Sequence, residues 1–330
     1  MKPVKLGIIG CGIAPTDLHR PALKKLSHQF EIVSVCSQSE QKASDFSKMI
    51  GGVPFVTDYR KILENPEIEA VDISLPIHLN FQVAQEALEA GKHVFVEKPI
   101  AASLAEAETM LTFETKYPKV MMVAENFRYH PVFHRVRDYL DSGKIGKPYS
   151  VFWDSFFHLE PGNKYARTKW RINHKHPGGF ITDGGVHNIA ALRYMFGEII
   201  SGIAYTRSVN RALGQLDSIS FLFTAQNCVN GVFNLYHSSI GYSESKLVIL
   251  GSEGSIRVSD KTITLSRENE DTLEETVESD GGYRAEFEDF FQAVRTGKKV
   301  LSTFEEGYKD LKTIIHALES AKEFDKFKID

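Results

Sequence analysis

The chain has 330 residues, 42% hydrophobic and 25% charged, with 39 basic against 43 acidic side chains and a formal charge of −4. That length exceeds what one compact core usually covers, so two domains are expected, and no apolar run approaches the roughly 18 residues of a membrane span. With no basic block or stripe to track a phosphate backbone, nucleic acid is excluded as an expected partner.

The first 125 residues alternate short β-rich runs with helical patterns, the signature of parallel βαβ units. A strand over 4–9 leads into a helix over 18–26, a strand over 31–36 into a helix over 40–50, and 53–56 is a short third strand. Strands over 70–75 and 93–96 follow, separated by a helix over 80–90 whose Phe81, Ala84 and Leu88 share one face and which stops at Gly91. A sixth strand is expected over 120–124. Beyond 125, runs of alternating polarity such as 150–156 and 218–223 follow without long helices between most of them, which predicts an antiparallel sheet. Two helices end the chain, over 283–296 and 304–324, with Phe287, Phe290, Phe291 and Val294, and Leu311, Ile314, Ile315 and Leu318, at helical spacing. The expected fold class is α/β, a doubly wound parallel sheet over 1–124 followed by a mainly antiparallel α/β domain over 125–330, its C-terminal helices able to pack back on the first.

The start, Met1-Lys2-Pro3-Val4-Lys5, runs straight into the first strand and leaves no room for an apolar signal segment, so a soluble, cytoplasmic protein is expected. Cys11, Cys36 and Cys228 are odd in number for a disulfide framework and too dispersed for a zinc knuckle, and read as incidental thiols.

In Gly10-Cys11-Gly12-Ile13-Ala14-Pro15 the two glycines fit a dinucleotide fingerprint, one for the tight turn and one for close approach of a pyrophosphate, while Pro15 stands where a third glycine or alanine is usual. The second strand ends in Cys36-Ser37-Gln38-Ser39, with no acid for a ribose diol. Serine and glutamine can donate to a 2′-phosphate, so NADP is favoured over NAD, although Glu40 and Lys42 keep the choice open. Glu97-Lys98-Pro99 closes the apolar run 93–96, and a lysine ending a late parallel strand points at whatever the glycine turn holds. The alternative is a solvated strand-end charge.

A second constellation is 177–187. If a helix starts near Phe180, Asp183 and His187 are four apart on one face, about 5.4 Å from each other, with Ile181, Ile189, Leu192 and Phe196 opposite. An aspartate beside an imidazole orients it and favours its protonated form. A capping aspartate and a hydrogen-bonded core histidine are the alternative. His174, His176, Asp183 and His187 match no zinc spacing, and no metal is expected.

Together with Leu75-Pro76-Ile77-His78, Gly91-Lys92-His93, Asn126-Phe127-Arg128, Trp170-Arg171, Gly178-Gly179 and Gly251-Ser252-Glu253-Gly254, these residues resemble the Gfo/Idh/MocA family of oxidoreductases, to which inositol dehydrogenase and glucose–fructose oxidoreductase belong. The resemblance covers nearly the whole chain. It implies an N-terminal Rossmann domain, a C-terminal α/β domain whose open sheet often mediates dimers or tetramers, and reversible hydride transfer between a nicotinamide and a sugar or cyclitol hydroxyl. By position, Lys98 resembles the catalytic lysine, His187 the histidine that exchanges the hydroxyl proton and Asp183 the substrate-binding aspartate. Gly10, Gly12, Ile13, Ala14, Ser37, Gln38, Leu75, Pro76, His78, Glu97 and Lys98 are the expected cofactor residues. Many members carry a second acid three residues after the histidine; here that position is Ala190, which alters substrate contacts or helix packing.

The chemistry is consistent with those roles. An imidazole titrating near neutrality suits removal of a hydroxyl proton, and an ammonium near the same oxygen stabilises alkoxide charge while keeping the histidine neutral. Arg128, Tyr165, Trp170 and Arg171 have the donors and flat faces for a polyhydroxylated ring, as do Tyr129 and His174. The expected function is an NAD(P)-dependent oxidoreductase of a sugar, sugar derivative or cyclitol. A trans-dihydrodiol-type dehydrogenase and a catalytically silent nucleotide sensor are the alternatives, and the joint presence of Lys98, Asp183 and His187 argues against the sensor. A homodimer or homotetramer is expected, through strands 151–157 and 231–236 if their outer face is apolar.

Overall fold

Val4, Leu6, Ile8 and Ile9 are all at most 1% exposed, because the strand they form, β1 (Val4–Ile9), is covered on both faces as parallel strands are. In the computed structural model, which describes residues 1–160 and 162–323, the chain continues through a π-helical turn (Pro15–His19), α1 (Arg20–Lys25), β2 (Phe30–Cys36), α2 (Glu40–Met49), β3 (Phe55–Val56), α3 (Arg60–Glu64) and β4 (Ala70–Ile73). Next come α4 (Asn80–Glu89), β5 (His93–Glu97), α5 (Leu104–Leu111), α6 (Phe113–Lys116), β6 (Met121–Ala124), α7 (Pro131–Asp141), β7 (Pro148–Phe156), α8 (Lys169–Ile172) and α9 (Phe180–Phe196). Strands β8 (Ile199–Arg207), β9 (Ser218–Ala225), β10 (Asn230–Tyr236), β11 (Glu244–Gly251), β12 (Gly254–Ser259), β13 (Thr262–Arg267) and β14 (Leu273–Thr276) precede α10 (Tyr283–Thr296) and α11 (Phe304–Glu323). Residue 324, the expected end of the last helix, lies outside the described residues. Among those described, no helix is long and apolar enough to cross a membrane.

One compact unit comprises Met1–Tyr129 together with Asp280–Lys309. Its six strands run parallel in the order β3-β2-β1-β4-β5-β6, so the direction of winding reverses between β1 and β4 and leaves a crevice at their carboxyl ends. The expected strands and their order along the chain are found; β3 is shorter than the sequence run because Pro54 cannot donate to a ladder. Ser39 and Ser103 accept from the Lys42 and Glu106 backbone N–H groups and so start α2 and α5. Helix α10 belongs to this unit. Phe287 stacks on Phe95 of β5 at 4.5 Å, and Phe30 of β2 meets Phe287 and Phe291 edge-on at 5.7 and 5.8 Å.

The same helix carries Glu286, fully buried with neither carboxyl oxygen hydrogen-bonded among the described residues. Burial pushes it well above its ordinary 4.5, opposed by His19 and reinforced by Glu97, Glu125 and Asp72. A carboxyl group with a raised folded pKa contributes stability that is whole below pH 4.5 and lost as pH rises toward the folded value. Glu286→Gln removes that loss: its stability relative to the parent chain should grow by up to about 1.4 kcal/mol per pH unit above the unfolded value. Urea unfolding of both proteins at pH 5 and pH 8 checks this, and a difference that does not change with pH would refute it.

The other unit takes, among the described residues, 130–279 and 310–323. Among the described residues its eight strands lie in the order β14-β13-β12-β11-β7-β10-β9-β8; β7 and β10 pair in parallel and every other pair of these is antiparallel. Alternation gives the sheet a buried face, with Val151, Trp153, Phe221, Phe233 and Leu247. Helix α9 lies near that face: a Cβ at Gly185 would sit 3.3 Å from Leu235. The other face carries an apolar row, Ile203, Leu222, Val232, Phe152 and Val248, aligned in register across five strands, of which Leu222 is 50% and Phe152 40% exposed.

Candidate functional site

The turn after β1 is shaped by two glycines with different needs. Gly10 has φ +113°, and a Cβ there would lie 2.1 Å from the Ser74 carbonyl oxygen, so no other residue fits. Around Gly12 a Cβ would meet nothing within 4 Å. The fold does not demand that glycine; it leaves open space at the start of the helical stretch opened by Ile13 and Ala14, the kind of room a pyrophosphate requires. Pro15 in the first helical turn lacks an N–H that would have had no helical partner, which explains why it is tolerated there. These residues fit a dinucleotide.

The other expected cofactor residues of this unit lie along the carboxyl edge of the same sheet. Ser37, half-buried, donates its N–H to the Val56 carbonyl at 3.2 Å, and Gln38 is exposed. Leu75, Pro76 and His78 are half-buried after β4, where the Pro76 carbonyl accepts the Leu79 N–H at 2.8 Å. Lys98 is half-buried at the end of β5. Both oxygens of Glu97 are engaged within the protein: Oε1 accepts from His19 Nε2 at 3.0 Å and Oε2 from the Lys98 backbone N–H at 3.1 Å. Arg128, expected to meet a substrate, has a guanidinium only 4% exposed and paired with Glu306 at 3.0 Å. Tyr129 is buried and donates to Asp289 at 2.8 Å.

Sequence reasoning did not find His19. Its ring is wholly buried, with Nδ1 2.7 Å from Asp72 Oδ2 and Nε2 bound to Glu97. Burial alone would push this imidazole down, but Asp72 and Glu97 outweigh it and hold it well above 6.5. The one available signal was Asp72 itself, an acid inside the otherwise apolar strand Ala70-Val71-Asp72-Ile73.

In the second unit, Tyr165, Trp170, Arg171 and Asp183 come together. Arg171 Nε donates to Asp183 Oδ2 at 2.7 Å, and its guanidinium lies 4.2 Å over the Trp170 ring and 5.1 Å from the Tyr165 ring centre. The arginine thus holds Asp183, a partnership not foreseen from sequence. Asp183 and the half-buried His187 lie one turn apart on α9. His174 is packed beneath Gly179, where a Cβ would fall 2.7 Å from its ring. His237, also missed, is 5% exposed, edge-on to Phe157 at 4.6 Å, and pushed down to about 4 by burial. A Cβ at Gly184, next to Asp183, would contact its ring at 3.6 Å.

The sequence pattern of the oxidoreductase family with an NAD-binding Rossmann fold matches residues 4–125, and that of the family's C-terminal α/β domain matches 137–329. The chain belongs to the Gfo/Idh/MocA family. Similar proteins include an uncharacterised protein of Saccharomyces cerevisiae, 32% identical over 319 residues that are 91% of this chain and 90% of that protein. The crystal structure of an oxidoreductase from Thermotoga maritima superposes with a TM-score of 0.92 at 38% identity, covering 97% of each chain. The fold is shared with a levoglucosan dehydrogenase solved with NADH and levoglucosan, TM-score 0.87 at 22% identity over 97% of this chain and 98% of that one. As a Gfo/Idh/MocA oxidoreductase the protein is an NAD(P)-binding enzyme of the dehydrogenase type.

Proposed function

We propose that the protein transfers a hydride between NADP and a secondary hydroxyl of a sugar, sugar derivative or cyclitol. The observation that carries the reading is the open space at Gly12 beside the sterically obligatory Gly10, at the crevice between β1 and β4. When bound, the nicotinamide accepts or returns the hydride. In this reading Lys98 stabilises negative charge on the reacting oxygen and His187 takes up the hydroxyl proton. Asp183, fixed by Arg171 between two aromatic faces, holds a neighbouring hydroxyl. The sugar class is supported by the substrate named for the levoglucosan dehydrogenase relative. The test is a panel of myo-inositol and levoglucosan with each cofactor, followed by reduced-nicotinamide absorbance. Cofactor binding without turnover of any polyol at any pH would overturn the reading.

NADP is chosen over NAD because 37–39 offers donors and no carboxylate. Ser37→Asp should weaken NADPH binding at least about tenfold, as a fixed charge does when it faces a like one, and leave NADH less affected. Fluorescence titration of both cofactors checks this; equal losses would refute the preference.

A homo-oligomer closed through the outer sheet face also belongs to this proposal, since the Ile203–Val248 row is apolar across five strands. Phe152→Glu combined with Leu222→Glu is expected to lower the solution mass to that of one chain in sedimentation equilibrium. An unchanged oligomer would move the interface elsewhere.

A further inference from the structure

Lys98 leaves the sheet from a backbone that is clamped on both sides. The Asn80 side-chain amide donates to the Glu97 carbonyl at 2.8 Å and the Pro99 carbonyl at 2.9 Å, bridging the residues that flank the lysine. Between them, the Lys98 N–H is held by Glu97 Oε2 at 3.1 Å. That carboxyl group would swing freely about its side-chain bonds if nothing held its other oxygen, and His19 Nε2 holds it at 3.0 Å. On the far side of the ring, Nδ1 meets Asp72 Oδ2 at 2.7 Å, and Asp72 Oδ1 in turn accepts from Ser74 Oγ at 2.9 Å. Carboxylates only accept, so both ring nitrogens must donate, and neither ring flip nor tautomer change can release one partner without stranding a buried group. Phe287 at 5.3 Å and Phe95 at 5.7 Å pack edge-on to the imidazole and deny it other rotamers.

We propose that His19 is a positioning residue: anchored on Asp72, its ring pins the Glu97 carboxyl group to the Lys98 backbone N–H and so fixes the direction in which the Lys98 amine leaves the end of β5. Asp72, Glu97 and Lys98 thereby form a line of contacts from the interior of β4 to the reacting edge of β5. This inference rests on the reading of Lys98 as the amine that acts on substrate. The chain of contacts itself does not depend on that reading.

The test compares His19→Gln, Glu97→Ala, the double variant and Lys98→Ala. Exchange of the Lys98 amide, followed by mass spectrometry of the peptide that contains it, should accelerate about tenfold in His19→Gln, the scale for loss of one charge-assisted hydrogen bond. With NADP and whichever of myo-inositol and levoglucosan is turned over, kcat should fall about tenfold while KM and the cofactor Kd stay within about twofold, because a displaced group costs rate rather than affinity. Adding His19→Gln to Glu97→Ala should cost nothing more. Wild-type exchange and kcat in His19→Gln, or full multiplication of the two losses in the double variant, would overturn the proposal. If Lys98→Ala retains full turnover, the reading of Lys98 fails while amide exchange still decides whether the clamp exists. Should His19→Gln not unfold cooperatively, Asp72→Asn, which keeps the side-chain shape, is expected to accelerate Lys98 exchange about threefold, and no acceleration there is equally fatal.

Discussion

Lys98→Ala is expected to lower kcat by about 10²–10³, the range for removing one preorganised group that meets developing negative charge. Lys98 sits at the end of β5, two strands from the glycine turn in the order β1-β4-β5, on the edge where an open parallel sheet receives its ligand. Since the interaction is made more strongly with an alkoxide than with a neutral hydroxyl, the loss should fall on kcat and spare the cofactor Kd. Lys98→Arg should recover little, because a planar fork does not replace a point charge in a confined site. Steady-state kinetics with parallel cofactor titration checks this. Turnover within threefold of the parent chain would remove Lys98 from the reaction, and a lost cofactor Kd would make it a binding residue.

Arg193→Ala is expected to destabilise the protein by about 3–5 kcal/mol, because it removes one partner of a buried ion pair. The arginine side chain is 2% and that of Asp310 1% exposed, and the two pair inside the second unit, joining α9 to α11. A second limb of the guanidinium reaches Glu198 at 2.8 Å, but that partner is 43% exposed and contributes little. The measurement is urea unfolding of Arg193→Ala against Arg193→Met combined with Asp310→Leu. The pairwise apolar replacement should recover most of the loss, since burying two ions already costs most of what their attraction returns. Equal destabilisation of the two would show that packing and not charge is what the pair supplies.

Local signals made much of the fold readable. Gly10 has a positive φ and a close backbone neighbour that only glycine tolerates, and with Gly12 two residues on it leaves a trace at fixed spacing. Helix α10 begins and ends where its phenylalanine periodicity predicts. Helix α7 is not among the expected elements although His130 before Pro131 is a start signal: the His130 ring accepts the Val132 N–H at 3.3 Å and proline suits the first turn. What stayed hidden was pairing at a distance. His19 lies 53 residues from Asp72 and 78 from Glu97, and Arg171 reaches Asp183 across a loop. Periodicity names the face a side chain occupies but not its partner there, so Arg128 could be read as a donor for substrate when its guanidinium lies against Glu306. Ranges of alternating residues likewise predict a sheet without predicting that β7 and β10, 80 residues apart in register, run side by side in the same direction.

The nucleotide-binding half is discontinuous in sequence: the phenylalanines of α10 that close its interior against Phe30 and Phe95 arrive only after the whole of the other sheet has been made. A ribosome therefore releases residues 1–279 before the first half can seal, and during that interval an aromatic seam on the early strands stays open to water. A fragment stopped at residue 129 should accordingly be sticky and chaperone-dependent, and soluble again when the stretch 280–309 is supplied in trans.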